Sequence, residues 1–299
     1  MRCFLTLLLL IASAAPALAQ NDAALSAQLR ALASTHQGKI ALYAIDLRSG
    51  KTAAIDADTP VPTASVIKLT VLFEALKAIQ AGTAHFDDKL ALTKADQVPG
   101  SGVLGLFDTP ETLTLRDALT MMVVVSDNTG TNLAIDHLGL ANIDRRIAWM
   151  GLQNTWLYKK VFKPPTGPVP ADQKQFGLGK TTAREMAEVM ERFATCDLNA
   201  PGVAAKPTAR DRGLCAAAVG MLKNQTDRDG IPRYLSADVA NKTGALDDVR
   251  NDVGIVYARN GPVIVSEFTY DNKDQSWTPD NAAQVLMARL AKTIVDRWQ

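Results

Sequence analysis

Three short groups of residues in this 299-residue sequence have the types and spacing needed for acyl transfer through a serine. They are Ser65-Val66-Ile67-Lys68, Ser126-Asp127-Asn128 and Lys242-Thr243-Gly244. Each is weak evidence alone, because a serine three residues before a lysine occurs by chance about once in a chain of this length. All three occur once, in this order, each in the structural context that its chemistry needs, and together they indicate an activated serine.

Ser65 is the candidate nucleophile and Lys68 its candidate base. Residues three apart on a helix lie on one face within reach of each other. A lysine in an apolar helix that also meets a second cation has its charged form disfavoured, so a neutral Lys68 could take the proton of Ser65. The backbone N–H of Ser65, at the start of the helix, has no partner within the helix and can face a developing oxyanion.

The remaining groups are expected to bind the substrate and complete the proton transfer. An edge strand carrying Lys242 and Thr243 would hold a substrate carboxylate, and Gly244 would let that strand approach closely. The N–H of Ala245 is the natural second donor to the oxyanion. Ser126 would pass a proton to the departing nitrogen, and Asn128 would bind the amide of the substrate.

The pattern of apolar residues predicts the elements that position these groups. Residues 22–34 predict a helix, and residues 40–47 and 52–55 predict a hairpin. Residues 65–80 are apolar nearly all round and therefore predict a helix buried in the middle of the protein. Further helices are expected at residues 115–125, 128–137, 143–150 and 182–193. After residue 236, three strands are expected, the last two of them joined by an Asn-Gly turn, and a last helix through residue 298 follows.

This order predicts an α/β fold in which both chain ends build one lobe. The α/β lobe would span about residues 20–60 and 225–299, as an antiparallel sheet flanked by the terminal helices. An all-helical lobe of about residues 61–224 would be inserted into it. The two lobes would form a single catalytic domain over residues 20–299.

The first residues predict export. A short basic start, an apolar run and the small-x-small sequence Ala17-Leu18-Ala19 predict a signal peptide over residues 1–19, cut after Ala19. The apolar run is shorter than the roughly 20 residues that span a bilayer, so a periplasmic or secreted protein without a stable membrane span is expected. Cys196 and Cys215 would then form a disulfide in an oxidising compartment.

Composition excludes several other classes of function. The formal charge is +1 and the basic residues form no runs, which argues against a nucleic-acid partner. His36, His85 and His137 lie far apart without ligand spacing, so neither a metal nor another cofactor is expected. A monomer that acts on a small molecule is the expectation.

The sequence blocks around the three motifs resemble those of the class A β-lactamases and their relatives among penicillin-binding proteins. These blocks are PTASVIKLTVLFEALKAIQAG, LTMMVVVSDNTGTNLAIDHLG and ANKTGALDDVRNDVGIVYA, and the resemblance covers most of the mature chain. It implies a β-lactamase-like fold, acylation of Ser65 by a β-lactam, and the roles given above for Lys68, Ser126 and Lys242. In some members an arginine beyond the strand motif helps to bind the substrate carboxylate, and Arg250 is similar in position.

The resemblance fails at one catalytic position. Class A β-lactamases activate the deacylating water with a glutamate in a pattern like Glu-x-x-Leu-Asn, and alignment places Val161 there. Between Asp144 and Glu185 the only acidic residue is Asp172. Either Asp172 or Lys68 replaces the glutamate and the protein is a β-lactamase or esterase of modest turnover, or acylation outruns deacylation. In the second case the protein resembles a penicillin-binding D,D-peptidase that acts on peptidoglycan stem peptides.

A third possibility is a non-catalytic sensor of peptidoglycan or β-lactams. The intact set of Ser65, Lys68, Ser126 and Lys242 argues against it, because a protein that only binds needs no base beside its serine.

Overall fold

The computed structural model describes residues 20–299, and the predicted signal peptide lies outside the described residues. The strands are β1 (Gln20–Asn21), β2 (Lys39–Asp46), β3 (Lys51–Ile55), β4 (Val61–Pro62), β5 (Lys89–Leu92), β6 (Glu111–Thr114), β7 (Trp156–Leu157), β8 (Gly179–Thr181), β9 (Val239–Leu246), β10 (Val249–Ala258) and β11 (Gly261–Tyr270). The helices are α1 (Ala23–Ala33), α2 (Lys68–Ala81), α3 (Leu115–Val124), α4 (Asn128–Leu138), α5 (Leu140–Trp149), α6 (Gln173–Phe176), α7 (Ala183–Thr195), α8 (Ala209–Lys223) and α9 (Ala282–Trp298).

Strands from both ends of the chain build one six-stranded sheet in the order β1-β3-β2-β11-β10-β9. All its pairings are antiparallel except the short β1/β3 pair. β9 is the last strand in this order, so it offers one edge to another part of the protein. That edge carries the Lys242-Thr243-Gly244 motif.

Each face of the sheet has its own hydrophobic core. On one face, α1 and α9 pack through residues such as Leu29 and Leu290, which are fully buried. On the other face, α7 packs on β2, β10 and β11 and connects the sheet to the helical part of the molecule. The alternation of side chains along each strand supplies both cores, since neighbouring residues of a strand point to opposite faces.

Helix α2 is the central helix of the inserted lobe. It contacts α3, α4, α5, α7 and α8, and its buried residues include Leu69, Leu72, Phe73 and Leu76. Burial on all sides explains why its sequence is apolar nearly all round. The helix ends at Gly82, whose φ of 77° is the left-handed conformation that glycine adopts without strain.

The predicted fold class is confirmed, with one difference in detail. The inserted lobe is mainly helical but also holds two small sheets, β4-β8-β7 and β5-β6. The predicted lobe boundaries stay predictions.

The disulfide between Cys196 and Cys215 is present, and it joins the end of α7 to α8. Among residues 20–299, no helix combines the length and apolarity required to cross a bilayer.

Candidate active site

The candidate nucleophile lies on a single helical turn that leads directly into the central helix. Ser65 belongs to a 3₁₀ turn at Ala64–Ile67, and Lys68 is the first residue of α2. The backbone N–H of Lys68 donates to the carbonyl of Ser65, so the two residues, three positions apart, are held on one continuous turn. The N–H groups at such a start have no partners within the helix and carry partial positive charge.

Lys68 is fully buried, and its Nζ lies against polar atoms of the second motif. Nζ is 2.7 Å from the carbonyl oxygen of Ser126, 2.9 Å from Oδ1 of Asn128 and 3.2 Å from Oγ of Ser126. A carbonyl and an amide oxygen can only accept, so they occupy two N–H groups of the amine. The third direction faces a hydroxyl, which can donate to the lone pair of a neutral amine.

Burial lowers the pKa of both lysines, but their charged neighbours differ. Burial and the positive charge of Lys242 together hold the pKa of Lys68 well below its usual value, against a smaller opposing effect of Asp127. Burial lowers the pKa of Lys242 to about 8, while Asp227 and Asp252 oppose that shift. A neighbouring cation therefore favours the neutral amine at Lys68, whereas neighbouring carboxylates favour the ammonium at Lys242.

Ser126 connects the two lysines. Nζ of Lys242 lies 3.1 Å from Oγ of Ser126, the same oxygen that lies 3.2 Å from Nζ of Lys68. An ammonium on Lys242 donates to the Ser126 oxygen, and the Ser126 hydroxyl can donate its own proton to Lys68 whenever that amine is neutral. Ser126 has a positive φ of 55°, which is uncommon for a serine and is typical of strained functional positions.

Asp127 holds the strained Ser126 turn in place. Its carboxylate accepts hydrogen bonds from the backbone N–H groups of Val103, Leu104 and Gly130, at 2.6–2.8 Å. The side chain is fully buried, and these three donors replace the water that it loses. Asp127 thus positions Ser126 and Asn128 and ties them to the loop between β5 and β6.

The edge strand β9 passes directly beside Ser65. A Cβ on Gly244 would lie 2.8 Å from the carbonyl oxygen of Thr63 and 2.9 Å from the backbone nitrogen of Ser65. Only a glycine permits this approach, as the sequence predicted. Asn251, opposite Gly244 on β10, fixes the same segment by donating to the carbonyl oxygens of Pro62 and Thr63.

Arg250 lies opposite Ala245 on the β9/β10 hairpin and is buried, with 3% of its surface exposed. Its guanidinium donates to carbonyl oxygens of the hairpin turn and of Ser276, and it stacks 4.5 Å from the ring of Trp277. A cavity of about 340 Å³ beside it is also lined by Thr243 and Ala245. Arg250 is therefore not a plain surface residue, and it adjoins the strand predicted to bind the substrate carboxylate.

Asn132 is a residue of the site that the sequence did not single out. It lies one helical turn after Asn128 on α4, on the same face. Its amide brackets Val161: Oδ1 accepts from the N–H of Val161 at 2.8 Å, and Nδ2 donates to the carbonyl of Val161 at 3.0 Å. Val161, the residue aligned with the family's glutamate, is thus bound by Asn132. Asn132 lies one turn of α4 after Asn128, the asparagine that contacts Lys68.

Two nearby side chains, those of Tyr158 and Lys180, bind the carboxylate of Asp172. Its carboxylate accepts a hydrogen bond from Tyr158 Oη at 2.8 Å and forms an ion pair with Lys180. Hydrogen bonds from Lys180 and then from Tyr158 lower the pKa of Asp172. A lowered pKa makes this carboxylate a poorer proton acceptor.

The structure brings Lys68, Ser126, Asn128 and Lys242 into direct contact, and it places Gly244 against the Ser65 backbone. Among the described residues, the Ser65 hydroxyl makes no hydrogen bond with Lys68. Within residues 20–299, no cluster of His, Cys, Asp and Glu side chains is suited to hold a metal ion.

Comparison with known proteins agrees with this geometry. The family model described as "Beta-lactamase enzyme family" matches residues 24–298. A β-lactamase of Streptomyces fradiae is 27% identical over 296 residues, covering 95% of this chain and 90% of the relative. A β-lactamase structure from Sphaerobacter thermophilus superposes with a TM-score of 0.77 at 26% identity, covering 91% of this chain and 96% of that one.

The penicillin-binding protein PBP-A shares the fold. One of its structures has a TM-score of 0.76 at 24% identity, covering 93% of this chain and 97% of PBP-A. Because the family match spans nearly the whole described chain, and the shared fold carries the three motifs to one site, this protein belongs to the beta-lactamase enzyme family.

Proposed function

We propose that this protein is a serine hydrolase of class A type that is acylated on Ser65 by β-lactams and opens the β-lactam ring. One observation carries the proposal: Oγ of Ser126 lies within hydrogen-bond distance of two buried lysines, Lys68 and Lys242, and Lys68 follows Ser65 by one helical turn. A binding protein would gain nothing from burying a neutral amine beside a serine, because that burial costs free energy.

Acylation follows from the positions of these groups. Neutral Lys68 removes the proton of Ser65 as the serine oxygen attacks the carbonyl carbon of the lactam. The developing oxyanion is stabilised by the N–H groups of Ser65 and Ala245. Lys68, now an ammonium, returns a proton through Ser126 to the lactam nitrogen as the C–N bond breaks. The product is an ester of Ser65 with the ring opened.

The groups around this centre would orient the substrate. Charged Lys242 and the hydroxyl of Thr243 would bind the substrate carboxylate, with Arg250 adding positive charge behind them. Asn128 would bind the substrate amide next to the loop that contains Pro99. The carbonyl of Pro99 accepts a hydrogen bond from Nδ2 of Asn128.

Deacylation would be the slow half of the reaction. Val161 occupies the position aligned with the family's glutamate, and its apolar side chain cannot deprotonate water. Asp172 is committed to Lys180 and Tyr158. This gap supports the alternative of a slowly deacylating, penicillin-binding protein that acts as a D,D-peptidase on peptidoglycan stem peptides.

The proposed setting is the periplasm or the outside of the cell, as a monomer released by cleavage after Ala19. The disulfide between Cys196 and Cys215 supports an oxidising compartment.

A single experiment tests the function. The purified protein is mixed with a chromogenic cephalosporin, and both colour and intact mass are followed. Steady colour release is the expected result for a β-lactamase of modest turnover. One stoichiometric burst with a stable mass increase would instead favour the slowly deacylating alternative. Neither colour nor adduct would contradict the proposal and favour a sensor.

A further inference from the structure

Phe162 is an aromatic residue that the sequence motifs do not explain. Its side chain is 62% exposed, although it follows the buried Val161 directly. It belongs to neither of the two hydrophobic cores. A single exposed apolar side chain needs no explanation by itself, so its significance depends on the residues that surround it.

The backbone at Phe162 is strained. The N–H of Lys163 donates to the carbonyl of Lys160, which closes a turn with Phe162 at its third position. Phe162 has a positive φ of 55°, a conformation that glycine or asparagine usually supplies at this position of a turn. A bulky residue there is an outlier, and such strain is found where the surroundings impose it and function uses it.

Three anchors impose this conformation. The amide of Asn132 brackets both backbone groups of Val161. On either side of the turn, Lys160 forms an ion pair with Asp136, and Lys163 donates to the carbonyl of Ala95. The turn is therefore tied to α4 and to the loop that follows β5, which limits the positions open to the ring.

The ring lies at the substrate-binding edge of the site. A Cβ on Gly100 would come within 2.7 Å of Asn128 Nδ2 and within 3.1 Å of the Phe162 ring. Asn128 Nδ2 and the Phe162 ring therefore both lie against Gly100. Because this glycine, with a φ of 88°, has no side chain, there is room for both groups. Asn128 is the proposed partner of the substrate amide, and the group attached to that amide would extend toward Phe162.

We propose that Phe162 is a specificity-determining residue that provides an aromatic wall for the acyl side chain of the substrate. The inference rests on the proposed function and deepens it: the preferred acyl donors carry an aromatic or large apolar side chain on the amide held by Asn128. Edge-to-face or offset contact between two rings favours such donors over those without a side chain.

The test compares two penicillins in four proteins. Second-order acylation rates are measured for benzylpenicillin, which carries a phenyl side chain, and for 6-aminopenicillanic acid, which carries none. The proteins are the wild type, Phe162→Ala, Phe162→Gly and the matched control Phe107→Ala, which removes another partly exposed phenylalanine. The glycine variant removes the ring and relieves the backbone strain, so it separates the contact from the turn.

The expected result is a loss of about tenfold with benzylpenicillin in both Phe162 variants, the size that follows from losing one aromatic contact. The rate with 6-aminopenicillanic acid would stay within about twofold, and Phe107→Ala would change neither. Equal losses with both penicillins, restored by Phe162→Gly, would show a role in the turn only and overturn the inference, as would unchanged rates. A wild type that neither penicillin acylates would instead overturn the proposed function itself.

Discussion

The two halves of the proposed reaction depend on regions of very different construction. The acylation region joins a helix start, a strained turn and an edge strand through four polar side chains in mutual contact. The segment from residue 157 to residue 172 presents an apolar side chain at the position aligned with the family's base, and the carboxylate of Asp172 is bound by neighbours. One region is organised to make an ester, and the other contains no free carboxylate that could hydrolyse it.

This contrast separates positioning from chemistry. Asn132 still holds the backbone of Val161 against α4, so the segment is placed beside the site although its side chain cannot act as a base. The contacts that position residue 161 are therefore present, although the valine at this position cannot act as a base. The comparison predicts that changes to Ser65 or Lys68 abolish or slow formation of the ester, while changes to the candidate base positions Val161 and Asp172 act at most on its lifetime.

Removing the nucleophile should have the largest effect. Ser65→Ala should abolish covalent labelling by a fluorescent penicillin, because within residues 20–299 Ser65 is the only serine that stands three residues before a lysine at a helix start. Labelling is measured on gels and by intact mass. Ser34→Ala, which alters an exposed serine at the end of α1, should label like the wild type. Labelling that persists in Ser65→Ala would contradict the assignment of the nucleophile.

Removing the base should slow acylation by at least about a hundredfold, the range expected for loss of a general base. The variant is Lys68→Ala, and the rate is followed by stopped-flow or quenched mass spectrometry with benzylpenicillin. Lys89→Ala, at an exposed position of β5, is the matched control. Wild-type acylation rates in Lys68→Ala would mean that another group takes the proton.

Restoring a carboxylate should shorten the life of the ester. Val161→Glu should speed deacylation by about a hundredfold, because Asn132 binds only the backbone of residue 161 and would hold the new side chain near the site. The buried position would raise the pKa of the glutamate and make it a stronger base. Val161→Gln, equal in size but unable to accept a proton, is the control.

The Val161 experiment can also fail in informative ways. A gain shared by Val161→Glu and Val161→Gln would show an effect of shape and not of base catalysis. A wild type that already hydrolyses benzylpenicillin hundreds of times per second would contradict the claim that deacylation is limiting.

The pH dependence of acylation should be bell-shaped. The rate rises with pH as Lys68 loses its proton, and it falls above about pH 8 as Lys242 loses the charge that binds the substrate carboxylate. Lys242→Gln removes a repulsion that lowers the pKa of Lys68, so the rising limb should move to higher pH. The falling limb should disappear. An unmoved rising limb would show that Lys242 does not set the charge of Lys68.

Much of this site is predictable from sequence because local rules agree there. The spacing of Ser65 and Lys68 predicts that both residues lie on one turn, and the glycine of an edge strand predicts the close approach of that strand; both follow from backbone geometry alone. The disulfide was predictable because two cysteines follow the predicted signal peptide, which directs the chain to an oxidising compartment. The structure of the Ser126 turn adds what spacing does not contain, namely that one hydroxyl reaches both lysines.

Other features depend on contacts distant in sequence. The bracket of Asn132 around Val161 joins residues 29 positions apart, and its only sequence signal is that Asn132 follows Asn128 by four on one helix. Helix α8 was not predicted, because Gly213 and Gly220 weaken its helical propensity and its apolar residues form no clear stripe. Thr208 and Asp211 cap it reciprocally, and packing against α2 and α3 supplies the rest of its stability.

The smallest effect is expected for Asp172→Asn, which tests whether the only acidic residue of the basic segment replaces the missing glutamate. Lys180 and Tyr158 occupy its carboxylate and lower its pKa, so it is both a weak base and unavailable to a water beside Ser65. The lifetime of the acyl-enzyme, measured by intact mass, should change by less than about twofold. A lifetime prolonged by about a hundredfold would identify Asp172 as the base.

Stability provides a second measure for the same variant. The ion pair with Lys180 is partly exposed, so its loss should lower the free energy of unfolding by less than about 1 kcal/mol at neutral pH. Because folding lowers the pKa of Asp172, its contribution is present above the unfolded-state value and is lost as pH falls through the folded-state value. The difference in melting temperature between wild type and Asp172→Asn should therefore vanish in acid. Asp136→Asn, which removes the more exposed ion pair with Lys160, is the matched control for a purely electrostatic effect. If Asp172→Asn alone changed the lifetime of the acyl-enzyme and left stability unaltered, the segment from residue 157 to residue 172 would contain a working base. The contrast with the acylation region would then no longer hold.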